Sequence, residues 1–220
     1  MNRRVDLESM RFKLVAYCEQ MGLSLSDELC GRLIQYAQLV YQWNKSYNLT
    51  SVRHFEGLLH RHLVDSLTVL PYIEGGYVLD VGSGAGFPGM PLAMVRDDLK
   101  VALLDSNSKR MCFLKQVISD MHLTNVGIVH KRVEEYHPKT QFRYIISRAF
   151  SSLSIFLGVI EHLVHDDTVV LAIKGMYPTA ELEEINMPYE VYALDLPGDV
   201  AQRHLVAIQG SDIRSKNHGV

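Results

Sequence analysis

The stretch Tyr77-Val-Leu-Asp80-Val-Gly82-Ser-Gly84-Ala-Gly86-Phe87-Pro88-Gly89 constrains this chain more than any other. A short apolar strand runs straight into three glycines at alternate positions, then into a proline-marked helix start. Glycines are needed where backbone must turn sharply and let a ligand lie against it with no Cβ in the way. The next strand, Val101-Ala-Leu-Leu-Asp105, ends in an acid 19 residues after Gly86. An acid at that place accepts both hydroxyls of a ribose, because adjacent strand ends open onto one crevice. Together the two features predict a nucleoside held across the first two strands. The plainer alternative is a tight turn with a solvated Asp105.

The loop chemistry narrows the nucleoside. The dinucleotide fingerprint GxGxxG needs a glycine at its sixth position, where this chain has Phe87. Asp80 would also face a pyrophosphate unfavourably. An acid there suits a ligand with an ammonium and no phosphate, such as the methionine part of S-adenosylmethionine. The Walker A pattern GxxxxGK[ST], which would mark a nucleoside triphosphatase, is absent.

Rhythm around this loop sets the fold class. Before Pro71 the apolar spacing is helical: Ser24 or Ser26 caps a helix with Leu29, Leu33, Tyr36, Ala37 and Val40 on one face. Leu59, Leu63, Leu67 and Leu70 mark another, stopped by Pro71 and the Gly75-Gly76 pair. The stretch between, from Trp43 to Phe55, reads as a loop with anchoring aromatics. After Pro71, strands are predicted at Tyr77–Asp80, Val101–Leu104, Val126–Val129, Tyr144–Ile146, Thr168–Ile173, Glu190–Leu194 and Leu205–Ile208. Helices fall near Pro91–Arg96, over Met111 to Met121, and around Leu153–Leu163. Strand–helix alternation predicts a doubly wound α/β sheet, closed by an antiparallel hairpin at one edge. The expected division is a helical extension over 1–70 and an α/β domain over 71–220.

Several function classes drop out. The longest apolar runs, Thr168–Ile173 and Ser154–Ile160, fall far short of the ~18 residues of a membrane span. The N-terminal MNRRVDLESMRFK has no apolar core of a secretory signal. Cys18, Cys30 and Cys112 are too scattered for a disulfide framework or zinc site, which predicts a reducing cytoplasm. Cys112 reads as a small buried apolar residue. His54, His60 and His62 are close in sequence, but no metal-ligand pattern joins them, so no metal is expected. GxSxG, the serine nucleophile motif, is missing. With a net charge of −3, any nucleic-acid partner has to be held by a local patch.

Further blocks join the loop in order: Trp43-Asn-Lys-x-Tyr47-Asn48-Leu49-Thr50-Ser51, Arg61-His62-x-x-Asp65-Ser66, Leu104-Asp105-Ser106-x-x-Lys109-Arg110, Arg132-Val133-Glu134, Ile146-Ser147-Arg148-Ala149-Phe150, Lys174-Gly175 and Arg203-His204. In these the chain resembles the RsmG family, also called GidB, over about residues 20–210. The resemblance implies a class I, Rossmann-like methyltransferase fold: a mostly parallel seven-stranded sheet with an N-terminal helical extension. It implies methyl transfer from S-adenosylmethionine to N7 of one guanine in 16S ribosomal RNA of the small subunit. It further implies that Gly82, Gly84 and Phe87 line the methionine end of the cofactor and that Asp105 holds its ribose. Val133 and Glu134 would meet the adenine, and Arg148 would lie near the transferable methyl. Phe87 stands where many members have Leu. The tail Ser211–Val220 matches nothing in the family and reads as frayed.

Guanine N7 has a free lone pair and no proton to lose, so positioning rather than a general base is the expected device. Arg148 suits a base edge or a phosphate, or is simply a sheet-edge ion pair. Trp43, Tyr41 and Tyr47 suit either base stacking or core anchoring. Lys45, Arg53, Arg61, His62, Lys109, Arg110 and Arg148 form the expected basic rim, unless they are solvated charges, such as Arg61 paired with Asp65 on one helix. Competing readings are a small-molecule methyltransferase and a non-catalytic nucleoside-binding regulator.

Overall fold

The computed structural model describes residues 6–148, 150, 152–198 and 202–215. The central strand β1 (Gly76–Val81) pairs in parallel with β2 (Leu99–Leu104) on one side and β4 (Tyr144–Arg148) on the other. β3 (Val126–Val129) extends the sheet beyond β2, and β5 (Val169–Lys174) extends it beyond β4, both parallel. β7 (Arg203–Gln209) runs antiparallel between β5 and the edge strand β6 (Glu190–Leu194). The order β3-β2-β1-β4-β5-β7-β6 is thus mostly parallel with the antiparallel closing pair expected from the sequence.

Two apolar layers cover the sheet. On one face lie α5 (Gly89–Val95) and α6 (Ser108–Asp120), joined by the N-terminal helices α1 (Leu7–Gln20) and α2 (Asp27–Tyr47) in a single core. Ser26 caps α2 by accepting from Leu29 N–H (3.1 Å), and Leu33, Tyr36, Ala37 and Val40 are its fully buried stripe. The other face carries α7 (Leu153–Ile160), α8 (Thr179–Glu184) and α9 (Gly210–Ser215).

The structure differs from the sequence reading in several places. Helix α1 has no counterpart in it; its buried positions, Leu14 and Cys18, form too narrow a stripe to stand out. α2 continues through Trp43 to Tyr47, so the first part of the predicted loop is helical. The Asn and Ser there are tolerated because Asn44 turns inward, donating to Val52 O (2.8 Å) and accepting from Thr50 N–H (2.9 Å). The leucine-marked helix is broken: α3 (Phe55–Leu58) widens into a π-helical turn (Leu59–Val64), then tightens into α4 (Asp65–Leu67). Pro71 does not stop it, sitting instead inside a 3₁₀ turn, Leu70–Tyr72, where its missing N–H costs nothing. Cys112 is exposed, on the solvent face of α6. The tail is ordered as α9 through Ser215, with Ile213 buried and Arg214 paired to Asp166 (3.1 Å); residues 216–220 lie outside the described ones.

One carboxylate ties the helical segment to the sheet. Asp65, with its side chain 3% exposed, accepts from Arg148 Nη1 at Oδ2 (2.9 Å) and from Arg203 Nε at Oδ1 (3.2 Å). The N-terminal segment, β4 and β7 therefore meet on one charge. Removing a partner from a buried ion pair strands the charge that remains. Asp65→Ala should lower stability by about 3–5 kcal/mol in urea unfolding, and Arg203→Ala by less, because Arg148 still neutralises the carboxylate. Equal losses for the two variants would contradict this arrangement.

Candidate active site

The cleft opens at the carboxyl ends of β1, β2 and β4, where the strand order reverses. It has two lobes, of about 490 and 260 Å³. The larger is walled by Gly82, Gly84, Phe87 and Arg148, and the smaller by Asp105, Val133 and Glu134. Val81, Gly82, Arg110 and Phe150 border both, so the lobes form one cleft. All seven residues picked out in the sequence line it.

The turn between β1 and α5 is held by strand-end acceptors. Gly82 and Ser83 N–H groups donate to Leu104 O (2.8 and 3.0 Å). Gly84 N–H donates to Asp105 Oδ2 (3.0 Å), and Gly89 N–H to Asp80 Oδ2 (2.8 Å). At Gly86, φ is +97° and a Cβ would stand 2.8 Å from Leu114 and 3.0 Å from the Tyr36 hydroxyl. At Gly89 a Cβ would stand 2.5 Å from Leu103 Cδ2 and 2.8 Å from Asp80 Oδ2. Only glycine fits either place. A Cβ at Gly84 would instead meet nothing nearer than 3.9 Å, which leaves open space above that backbone.

The two strand-end acids differ in environment. Asp105 is 5% exposed and takes three donors: Oδ1 accepts from Asn107 N–H (2.8 Å), and Oδ2 accepts from Gly84 N–H and Arg110 Nη1 (3.0 Å each). Asp80 is completely buried, and its Oδ1 has no hydrogen-bond partner. Burial pushes its carboxyl up to about 7; Asp105 nearby adds to this, while the Gly89 hydrogen bond and Arg148 act against it.

The N-terminal segment builds the opposite wall with Leu49, Thr50 and His62. His62 comes from the π-helical turn and stacks on Phe87 (centroids 5.1 Å apart, planes 25°), its Nε2 2.6 Å from Thr50 Oγ1. Burial, with Arg148 adding, pushes the imidazole down to about 3, so at neutral pH His62 is uncharged and is not one of the basic groups. The Arg148 guanidinium lies over the same Phe87 ring, 5.5 Å from its centroid, while paired with Asp65. Asp65 thus serves arginines on β4 and β7 and not Arg61, whose carbonyl instead accepts from Arg148 (3.1 Å).

Of the expected basic rim, Arg110 and Arg148 line the cleft. Lys45 lies over the Tyr41 ring (4.9 Å), and Arg53 donates to Asn48 Oδ1 (3.0 Å). Trp43 and Tyr41 pack against the core, and only Tyr47 among the three is exposed. Sequence reasoning missed the functional weight of Tyr36, whose hydroxyl donates to Ala85 O (2.6 Å) and holds the glycine turn from behind. A hydroxyl on an otherwise apolar helix face was the available signal. No group of three or more histidines, cysteines or acids able to hold a metal occurs among the described residues. No helix there is long and apolar enough to cross a membrane.

Residues 29–205 match the family described as rRNA small subunit methyltransferase G (GidB). The chain belongs to that family. It is 42% identical over 198 residues to ribosomal RNA small subunit methyltransferase G of Methylobacillus flagellatus, covering 90% of this chain and 97% of that one. It is 45% identical to the Chromobacterium violaceum protein of the same name, covering 85% of this chain and 91% of the relative. Within the matched residues, His62, Asp105 and Arg148 border the cleft, and Asp65 holds Arg148 from behind it. In fold, the chain is similar to a SAM-dependent methyltransferase from Aquifex aeolicus, at 20% identity and a TM-score of 0.52, covering 66% of this chain and 89% of that one.

Asp80 has a measurable signature. Its carboxyl titrates near 7 in the folded chain and near 3.8 when unfolded, so the folded state holds its proton more tightly between those values. Stability from this residue is therefore full below pH ~4, falls as pH rises to ~7 and is flat above. Asp80→Asn keeps an acceptor for Gly89 and removes the penalty. Its advantage in urea unfolding should grow from pH 4 to pH 8 by on the order of 4 kcal/mol. A pH-independent difference would show that Asp80 is ionised throughout.

Proposed function

We propose that this chain transfers a methyl group from S-adenosylmethionine to N7 of a guanine in 16S ribosomal RNA of the small subunit. The observation that carries the reading is the single cleft that joins the glycine turn, Asp105 at the end of β2 and Arg148, in a chain of this family. The donor set suits the cofactor. Gly82, Gly84 and Phe87 border its methionine end. Asp105 holds the ribose hydroxyls, and Val133 and Glu134 border the adenine in the smaller lobe. The helical extension, residues 1–70, supplies the far wall of a site whose floor belongs to the methyltransferase domain, residues 71–220.

When bound, the sulfonium supplies an electrophilic methyl carbon. N7 brings its own lone pair, so no residue of this chain has to take a proton. What the chain contributes is placement: the stacked layer of His62, Phe87 and Arg148 limits how a base can enter, and buried walls keep water out. Arg148 is fixed by Asp65 and presents its remaining N–H groups to a base edge or phosphate. The guanine has to be unpaired or turned out of its stack to reach such a cleft.

Labelled cofactor offered in parallel to protein-free 16S RNA and to small ribosomal subunits tests the activity. Label should enter the RNA, and reductive cleavage at N7-methylguanine should then cut it at one position. Label on ribose, on an exocyclic amine or in a small metabolite would overturn the assignment, and no transfer at all would favour a nucleoside-binding regulator.

Asp105→Ala removes charge-assisted hydrogen bonds worth ~1.5–3 kcal/mol. Calorimetry with S-adenosylhomocysteine should show a loss of affinity of roughly tenfold to a hundredfold. Unchanged binding would remove Asp105 from the ribose site.

A further inference from the structure

Asp105 has too few acceptor positions for everything around it. A carboxylate offers about four lone-pair sites. Three are taken, by Asn107 N–H, Gly84 N–H and Arg110 Nη1. A ribose diol needs two, so one existing donor has to leave. The two backbone donors cannot: Gly84 is held in the turn, and Asn107 is the cap of α6, its side chain accepting from Lys109 and Arg110 N–H. Arg110 is the movable one, a long side chain 38% exposed and bordering both lobes at the waist of the cleft.

Resting on the function proposed above, we infer that cofactor binding displaces Arg110 from Asp105 and that the freed guanidinium becomes a phosphate contact for the RNA. Before the cofactor arrives, the Arg110 charge is spent on Asp105. After it, the ribose takes over the carboxylate, and a cation stands uncompensated at the cleft mouth beside Arg148, which keeps its own partner in Asp65. RNA then meets one more positive group in the loaded protein than in the empty one. By linkage RNA tightens the cofactor to the same degree, whichever of the two binds first. Arg110 acts here as a substrate-binding residue, with no part in the chemical step.

The test measures binding of the full chain to 16S RNA at several salt concentrations, with and without saturating S-adenosylhomocysteine. For the wild type, the ligand should raise RNA affinity roughly fivefold or more at low salt. It should also steepen the slope of log K against log salt by about 0.7, the value for one added phosphate contact on a single strand. Arg110→Ala should abolish both effects and still bind S-adenosylhomocysteine at least as tightly as the wild type, because the competing donor is gone. Arg110→Lys should restore part of the slope change. A wild-type slope indifferent to the ligand, or a ligand effect that survives in Arg110→Ala, would overturn the inference. So would loss of S-adenosylhomocysteine binding in that variant, which would make Arg110 a cofactor ligand. If the wild type itself bound no S-adenosylhomocysteine, the functional reading would fall first.

Discussion

The hydrogen bonds between the glycine turn and the two strand-end carboxylates govern this molecule. Backbone N–H groups in a tight turn need acceptors, and here Asp80 and Asp105 provide them at Gly89 and Gly84. Everything functional is referenced to that turn. Tyr36 braces it from α2, Phe87 projects from it to carry His62 and Arg148, and the lobes of the cleft divide around Gly82. On the function proposed above, the ribose makes a second claim on Asp105, so one acceptor of the turn is also a group that ligand competes for.

Much of this architecture is legible in the chain because its short apolar strands alternate with helices and its central strands are largely buried. Val126–Val129 and Glu190–Leu194 match the observed strands residue for residue, and the other strands differ only at their ends. Gly82, Gly84, Phe87, Asp105, Val133, Glu134 and Arg148, named from the resemblance, likewise all border one cleft. Less legible is what depends on long-range partners. Asp65, between buried leucines at 63 and 67, reads as a local helix acid until β4 and β7 bring arginines to it. The π-helical turn is another case, since four leucines at helical spacing are compatible with either geometry. Asn44 inside α2 looks like a helix breaker, yet its side chain supplies the loop's missing partners.

The helical extension is part of the catalytic body in a physical sense. Its apolar side merges with the layer of α5 and α6, and its polar side closes the cleft. A neutral His62 there has a clear rationale. A charged imidazole beside Arg148 would be both desolvated and repelled, so the group stays uncharged and serves as a flat partner for Phe87. The cations bordering the cleft are therefore Arg110, Lys131, Arg132 and Arg148, and His62 adds none at neutral pH.

The bridge from Asp65 to Arg203 spans 138 residues of sequence. A ribosome adding about 5–20 residues per second needs roughly 7–28 seconds to pass from one partner to the other. Through that interval the helical segment and the first strands can pack, but the wall of the cleft lacks its last fastening. The site is thus completed only as the final strand leaves the ribosome, and a nascent or truncated chain holds an unfinished cleft.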